Sequence, residues 1–233
     1  MAMAQLRVIF DLDDTLYPER DYAIGGFLSA AAWARETLGV TVRVERMTAL
    51  LDEGYLGQLF PIVLKEANPN HCADDLKGFM RAYQAQRPVL KLFEDAAVAL
   101  QSMVGGYSMG LITDGNARSQ AAKVEALAIA SHFSHIIYTG ALGEKRAFHK
   151  PHPLSFELME AALGREGDRF VYIGDNVSKD FVAPNGRGWS SILIDRPETR
   201  QTRIHRQQKV AEGGAPQVTL ENMTLLVDVL RQL

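Results

Sequence analysis

Short apolar segments alternate with segments of helical spacing along most of the chain. The apolar segments are bounded by turn-forming residues and comprise LRVIF (6–10), YSMGLIT (107–113), HIIYT (135–139), RFVYIG (169–174) and SSILID (190–195). Their aliphatic and aromatic content, without strict alternation of apolar and polar positions, is typical of strands that are covered on both faces. The pattern therefore predicts the strands of a parallel sheet.

Segments with helical signals lie between these predicted strands. NARSQAAKVEALAI (116–129) begins with an Asn that can cap a helix, and PLSFELMEAALG (153–164) begins with Pro and ends with Gly. A last strand and helix are predicted within PQVTLENMTLLVDVL (216–230). Because strand and helix alternate from about residue 90 onward, we predict an α/β fold built on a doubly wound parallel sheet.

The region from residue 20 to 90 differs, because it has helical periodicity and no convincing strand. Its helical segments are DYAIGGFLSAAAWARETLG, VRVERMTALLDEGY, GQLFPIVLKEA and DDLKGFMRAYQAQ. The region is too long for a simple crossover between two strands. We therefore expect a helical subdomain at 20–90, inserted into a core formed by 1–19 and 91–233. Phe27, Leu28 and Trp33 are expected in the interior of that subdomain.

Composition and charge narrow the class of protein. The chain has 233 residues and a formal net charge of -3, which argues against a nucleic-acid polymer or a membrane surface as partner. The single cysteine, Cys72, cannot form an internal disulfide, and no apolar run approaches the roughly 20 residues that span a bilayer. The first residues reach Asp11 too early for a signal peptide. We expect a cytoplasmic protein. The sequence pattern does not indicate its oligomeric state.

Three carboxylates crowd together directly after the first apolar run. Asp11, Asp13 and Asp14 occupy three of four positions in the segment DLDDT. A divalent cation would offset their repulsion, and hard oxygen ligands suit Mg²⁺. A calcium-binding loop would need Gly and Glu where Leu16 and Tyr22 stand. Taken alone, the segment could also be a capped turn.

Other polar residues follow later strands. Thr113 ends the second predicted strand, Asp175 follows the fourth with Asp180 five positions on, and Lys150 directly precedes a predicted helix. Singly, Asp175 could cap a helix, Thr113 could be an ordinary strand end and Lys150 a solvated loop residue. Since ligands bind at the carboxyl ends of strands in open α/β sheets, their order along the chain favours one shared site.

This order of motifs resembles the haloacid dehalogenase (HAD) superfamily of phosphohydrolases. The motifs are DLDDT (11–15), LIT ending at Thr113, Lys150, and GDNVSKD (174–180). The resemblance covers the sheet domain essentially from end to end, and the insertion after the first motif resembles the superfamily's C1 cap. About 35 residues separate the second and third motifs, which is too few for the alternative cap.

The resemblance implies a role for each matching residue. It makes Asp11 a nucleophile that forms an aspartyl-phosphate, and it makes Asp13 the acid and later the base. The implied Mg²⁺ ligands are Asp11, the backbone carbonyl of Asp13, and Asp175. The implied phosphate-binding residues are Thr113, Asp114 and Lys150. The implied supporting residues are Asn176 and Asp180, of which Asp180 orients Lys150 or a metal-bound water.

The resemblance also implies a function: a Mg²⁺-dependent phosphatase acting on a small phosphate monoester, such as a sugar phosphate or a nucleoside monophosphate. The acid at Asp13 favours phosphatases and phosphomutases over dehalogenases. Two alternatives stay open, a sugar phosphomutase of the same superfamily and a non-catalytic binding module.

Some features are less specific. The expected specificity residues of the cap are Tyr17, Arg20, Tyr22 and Tyr55. The basic segment 196–209 is either a solvated excursion or a phosphate-recognition element. His149 and His152 flank Lys150, where packing or substrate contact is favoured over a zinc site.

Overall fold

The computed structural model describes residues 5–55, 57–199 and 208–233, and these fall into two compact units. One unit comprises the chain up to Pro18 together with Lys91–Thr199 and Gln208–Leu233, and the other comprises Glu19–Leu90. We call them the sheet unit and the helical unit.

The sheet unit contains, within the described residues, a single sheet of six parallel strands. The strands are β1 (Leu6–Phe10), β2 (Ser108–Thr113), β3 (His135–Tyr138), β4 (Arg169–Gly174), β5 (Ser190–Ile194) and β6 (Val218–Leu220), in the spatial order β3-β2-β1-β4-β5-β6. The predicted doubly wound parallel sheet is confirmed. Because β1 lies between β2 and β4, the carboxyl ends of these three strands are neighbours.

The helical unit contains helices and no strand among its described residues. Its helices are α1 (Glu19–Trp33), a π-helical turn at Ala34–Leu38, α2 (Val44–Asp52), α3 (Leu59–Ala67) and α4 (Ala73–Gln84). Phe27 and Phe79 are buried in its core, and Trp33 packs against that core. Leu28 is 57% exposed, so its predicted burial was wrong. It follows Phe27 by one position, which turns it about 100° away around the helix.

The sheet unit also contains helices. They are α5 (Glu94–Met103), α6 (Ala117–Ala126), α7 (Leu154–Leu163), α8 (Val182–Gly186) and α9 (Leu226–Leu230), with 3₁₀ turns at Ala130–His132 and Thr139–Ala141. Among the residues that the structure describes, no helix is both long and apolar enough to cross a membrane.

The face of the sheet under α7 is tightly packed. Ile9 and Tyr172 from the sheet and Phe156 and Met159 from α7 are fully buried in one cluster. A Cβ at Gly110 would lie 2.6 Å from the sulfur of Met159, so only glycine lets α7 approach β2 this closely. This packing holds the middle of the sheet rigidly beneath its carboxyl ends.

An ion pair made by the buried Arg196 joins four separate segments of the sheet unit. Arg196, two residues after β5, is 2% exposed and contacts Asp95 at 2.9 Å. Its guanidinium donates to the carbonyl oxygen of Thr15 at 3.3 Å and lies 3.8 Å from the ring centroid of Phe93. Asp95 also accepts the backbone N–H of Met223 at 2.6 Å.

These contacts change the interpretation of the basic segment 196–209. Solvated placement is wrong for Arg196, because a buried guanidinium needs this set of partners. Lys209 is exposed, while Arg200, Arg203 and Arg206 lie outside the described residues.

Replacing Asp95 with alanine should destabilise the protein strongly. The change leaves the Arg196 guanidinium buried without its carboxylate, and breaking a buried pair costs about 3 kcal/mol or more. Urea unfolding measures this loss. Asp228→Ala is the matched control, because it removes an exposed pair with Arg231 at 2.9 Å and should cost less than about 1 kcal/mol. Equal losses in the two variants would contradict the assignment.

Candidate active site

The predicted site residues converge on the ends of three adjacent strands. Asp11 directly follows β1, Thr113 ends β2, and Asp175 directly follows β4. The backbone N–H of Asp11 donates to the carbonyl oxygen of Ile173 at 2.8 Å, which extends the pairing of β1 with β4 by one residue. The position of the Asp11 carboxylate is therefore set by the sheet rather than by a loop.

Lys150 enters this group from the segment before α7. Its Nζ donates to Asp11 Oδ1 at 2.7 Å and to the Tyr172 hydroxyl at 2.8 Å, and it lies 2.8 Å from Asp180 Oδ1. The side chain is fully buried. Burial opposes its charge, but Asp11, Asp180 and Asp114 outweigh that effect and raise the pKa of Lys150 well above its usual value. Lys150 is thus a permanent, fixed cation.

One ammonium does not offset all the negative charge around it. Carboxylate oxygens of Asp11, Asp175 and Asp180 lie within 4.8 Å of one another. Burial, reinforced by Asp180 and opposed by Lys150, raises the pKa of Asp11 to about 6. Burial, together with Asp180, Asp11 and Asp14, raises the pKa of Asp175 well above its usual value. The cluster is electrostatically unfavourable on its own.

Asp14, the third carboxylate of the first motif, has an unusual backbone conformation. Its φ of 54° is in the left-handed region, which is uncommon for a residue other than glycine. Asp14 is buried and close enough to Asp175 to raise the pKa of that carboxyl. It therefore adds to the negative charge of the site.

The loop after β4 places Asp180 beside Lys150. A Cβ at Gly174 would lie 2.5 Å from Asp180 Oδ2, so the absence of a side chain at Gly174 makes room for this carboxylate. The backbone N–H of Asn176 donates to Asp180 Oδ2 at 2.9 Å. The Asn176 side chain accepts from the N–H and hydroxyl of Ser178 and so stabilises the loop.

The donor set fits a hard divalent cation. Carboxylate oxygens are the ligands that Mg²⁺ takes, and a dication would reverse the repulsion that raises the pKa values of Asp11 and Asp175. The group of potential metal ligands found among the described residues contains no histidine. Nδ1 of His152 instead accepts the N–H of Leu154 at 3.2 Å, which does not support the zinc alternative.

Thr113 offers an unused donor beside this cluster. Its side chain is fully buried, and Oγ1 has no hydrogen-bond partner among the described residues. A buried hydroxyl without a partner costs free energy, so this position favours binding of an acceptor such as a phosphoryl oxygen.

The side chain of Asp114, a predicted phosphate-binding residue, is engaged by protein groups. Its carboxylate accepts from Thr139 Oγ1 at 2.8 Å, from the backbone N–H of Lys150 at 3.1 Å and from Lys179 Nζ at 2.9 Å. Burial opposes ionisation, but Lys150 and Lys179 outweigh it and lower the pKa of Asp114. An ionised carboxylate repels phosphate, so the side chain acts by holding the Lys150 segment in place.

The Asp13 carboxylate has a different environment from that of Asp11. Lys123 Nζ donates to Oδ1 at 2.7 Å, the Tyr17 hydroxyl donates to Oδ1 at 2.5 Å, and Gln120 Nε2 donates to Oδ2 at 2.8 Å. Burial opposes ionisation of Asp13, but Lys123 and these hydrogen bonds outweigh it and lower its pKa.

Two of these partners were missed in the sequence. Gln120 and Lys123 lie three positions apart on α6, so they share one face of a helix that begins directly after the second motif. Their spacing of three positions was the signal in the sequence that could have identified them as a pair facing the site. Tyr17, expected to be a specificity residue, lies fully buried in the sheet unit, and its hydroxyl binds Asp13.

The other expected specificity residues belong to the helical unit. Tyr22 is 5% exposed and packs edge-on against Tyr83, which makes it part of that unit's interior. Arg20 pairs with Asp52 at 2.9 Å, and Tyr55 is 43% exposed. Substrate contact by Arg20 and Tyr55 stays a prediction.

Comparison with known families decides the classification. The family described as haloacid dehalogenase-like hydrolase matches residues 8–194 of the chain. The chain belongs to this family. The match runs from β1 to the end of β5 and includes every strand end that contributes to the site.

Relatives of this HAD-like hydrolase include named phosphatases. It is 26% identical to a glyceraldehyde 3-phosphate phosphatase of Methanopyrus kandleri, over 97% of each chain. It is 27% identical to a phosphoserine phosphatase of Thermus thermophilus, over 75% of this chain and 66% of that protein.

Solved structures support the fold of the hydrolase. A putative HAD-hydrolase, YfnB, from Bacillus subtilis bound to magnesium has a TM-score of 0.69 at 15% identity, covering 98% of this chain and 99% of that one. An L-2-haloacid dehalogenase from Xanthobacter autotrophicus has a TM-score of 0.63 at 20% identity, covering 99% and 100%. At this identity the likeness shows the fold alone.

Replacing Asp175 with asparagine should stabilise the metal-free hydrolase. The change removes one of the mutually repelling carboxylates, and relief of this kind is worth roughly 0.5 to 2 kcal/mol. Urea unfolding in the presence of a chelator measures the gain. The gain should shrink as the pH falls, because protonation of the wild-type carboxyls relieves the same repulsion.

Asp180→Asn is the matched control for this prediction. It also removes a carboxylate of the cluster, but it takes a partner from Lys150 and should therefore be destabilising. A loss of stability in Asp175→Asn would show that the cluster is not repulsive.

Proposed function

We propose that the protein is a Mg²⁺-dependent phosphatase that hydrolyses a small phosphorylated metabolite through an aspartyl-phosphate on Asp11. The observation that carries this proposal is the fully buried Lys150 ammonium, 2.7 Å from Asp11 Oδ1. A carboxylate beside a fixed cation, with the unpartnered Thr113 hydroxyl at the next strand end, suits attack on an anionic phosphoryl group.

In the first half of the reaction, a carboxylate oxygen of Asp11 forms a bond to phosphorus as the bond to the leaving oxygen breaks. Lys150 and Thr113 bind phosphoryl oxygens and hold phosphorus in line with the nucleophile. Asp180 keeps the Lys150 ammonium in position through their contact at 2.8 Å. Asp114 fixes the backbone of Lys150 through the hydrogen bond at 3.1 Å.

Asp13 moves the protons. It donates a proton to the leaving oxygen, and in the second half it takes a proton from the water that attacks the aspartyl-phosphate. Asp13 is thereby restored at the end of each cycle. Help of this kind is typically worth about 10² to 10⁴ in rate.

The residues that would hold Mg²⁺ are Asp11, Asp175 and the backbone carbonyl of Asp13. Bound there, the ion would offset repulsion between the Asp11 carboxylate and the phosphoryl group. The crowding of Asp11, Asp175 and Asp180 supports this assignment.

The substrate class is inferred from the relatives. Proteins similar to this chain are named for glyceraldehyde 3-phosphate, phosphoserine and ribulose 1,5-bisphosphate, which are all small phosphate esters. We therefore favour a sugar phosphate, with a nucleoside monophosphate as the other candidate. The helical unit Glu19–Leu90 would act as a cap that excludes water and selects the substrate, with Arg20 and Tyr55 as candidate contacts.

Turnover of small phosphate esters should require a divalent cation. A panel of sugar phosphates, nucleoside monophosphates and phosphoserine is assayed for released phosphate with Mg²⁺, with chelator, and with Mg²⁺ restored. We expect release only when Mg²⁺ is present, and faster release from these esters than from a folded phosphoprotein. Full activity in chelator would rule out the metal assignment of Asp11 and Asp175.

Asp11→Asn should reduce turnover to background, because the amide is no longer a nucleophile. In Asp13→Asn the nucleophile is intact but the base is missing. With an aryl phosphate as substrate, the phosphoenzyme should therefore form but hydrolyse slowly, so that it accumulates. Mass spectrometry after rapid quenching should locate one added phosphoryl group on the peptide that contains Asp11. Asp228→Asn, at an exposed position, serves as the active control. Substantial activity in Asp11→Asn, or a label elsewhere, would disprove the mechanism.

A further inference from the structure

The hydrogen bonds to Asp13 distinguish its two carboxylate oxygens. Oδ1 accepts from the Lys123 ammonium and from the Tyr17 hydroxyl, whereas Oδ2 accepts from Gln120. Each carboxylate oxygen has two in-plane lone pairs. The described residues therefore occupy both lone pairs of Oδ1 and leave one lone pair of Oδ2 for a proton.

The donors are held rigidly relative to the rest of the site. Lys123 and Gln120 are each 3% exposed on α6, whose first turn is capped by the Asn116 side chain. Gln120 also donates to the backbone carbonyl of Asp114, next to Thr113. The group that holds Asp13 is thereby attached to the strand end that carries Thr113.

Stability alone is a weak reason for a buried lysine in this position. Removing an ammonium from water is costly, and well-packed apolar side chains of similar volume often serve a fold equally well or better. Lys123 contacts Asp13 Oδ1 at 2.7 Å, and its ammonium lies 5.8 Å from the centroid of the Tyr17 ring. The first contact directs its charge to the residue that the proposed reaction uses for proton transfer, and the second places it beside the other side chain that binds Asp13 Oδ1.

This inference rests on the proposed function. We propose that Lys123 is a positioning residue: with Tyr17 it holds Oδ1 of Asp13, so that Oδ2 is the oxygen that exchanges protons. Oδ2–H gives its proton to the leaving oxygen as the P–O bond breaks, and Oδ2 regains a proton from the attacking water. Without Lys123 the carboxylate can rotate about its Cβ–Cγ bond and present either oxygen, so proton transfer becomes less efficient.

Lys123→Met tests this role with two substrates of similar shape, phenyl phosphate and 4-nitrophenyl phosphate. Phenolate is the poorer leaving group and needs protonation more. Because kcat/KM reports steps only up to formation of the phosphoenzyme, it isolates proton donation from the later base step. We expect kcat/KM to fall about tenfold or more for phenyl phosphate and less than about threefold for 4-nitrophenyl phosphate.

Two further variants separate positioning from folding. Tyr17→Phe removes only the second donor to Oδ1 and should shift the ratio of the two kcat/KM values in the same direction by a smaller factor. Val124→Ala loosens the buried side of α6 without touching Asp13, so it should lower the melting temperature but leave the ratio unchanged. Lys123→Arg, which keeps the charge, should bring the ratio of the two kcat/KM values part of the way back to that of the wild-type protein.

The outcomes distinguish this inference from the proposed function. If kcat/KM falls equally for both substrates in Lys123→Met, or if the ratio shifts as much in Val124→Ala as in Lys123→Met, the positioning role is overturned. The proposed phosphatase function would stand in either case. Wild-type protein that releases no phosphate from either substrate, with Mg²⁺ present, would overturn the proposed function and this inference together.

Discussion

The rest of the site depends on the ion pairs that the Lys150 ammonium forms with the carboxylates around it. The ammonium is fully buried, it contacts Asp11 at 2.7 Å and Asp180 at 2.8 Å, and it donates a hydrogen bond to the hydroxyl of Tyr172 on β4. Without this charge, the carboxylates would repel one another in a medium that screens them poorly. Even with it, the pKa of Asp11 is raised to about 6. The arrangement lowers the stability of the unliganded protein and suits the binding of positive charge.

The sheet supplies the rigidity that this crowding needs. Parallel pairing brings the ends of β1, β2 and β4 side by side, so Asp11, Thr113 and Asp175 are positioned by backbone hydrogen bonds. The close approach of α7 at Gly110 and the buried pair of Arg196 with Asp95 stabilise the unit away from the site. Free energy gained in this packing offsets the cost of the buried charges.

The predictable part of this structure has one physical origin. Buried parallel strands must be continuous apolar runs, and ligands bind at their carboxyl ends, so the pattern alone located the sheet and placed Asp11, Thr113 and Asp175 together. Lys123 and Gln120 escaped notice because polar residues at helical spacing usually face solvent. Arg196 was misjudged for the same reason. Burial of a charge depends on a partner distant in sequence, such as Asp95, which a local pattern does not contain.

The two carboxylates of the first motif show how neighbours divide their roles. Asp11 and Asp13 are two residues apart, yet burial and other acids raise the pKa of Asp11, whereas Lys123 and hydrogen bonds lower that of Asp13. The proposed chemistry needs an ionised nucleophile, which a pKa of about 6 still allows at neutral pH, and a protonated acid, which the lowered pKa of Asp13 opposes. A divalent charge beside Asp11 lowers its pKa, and a dianionic phosphate ester near Asp13 raises the pKa of that carboxyl. In the proposed mechanism, bound substrate therefore favours the protonated form of Asp13, which would couple its action as the acid to occupation of the site.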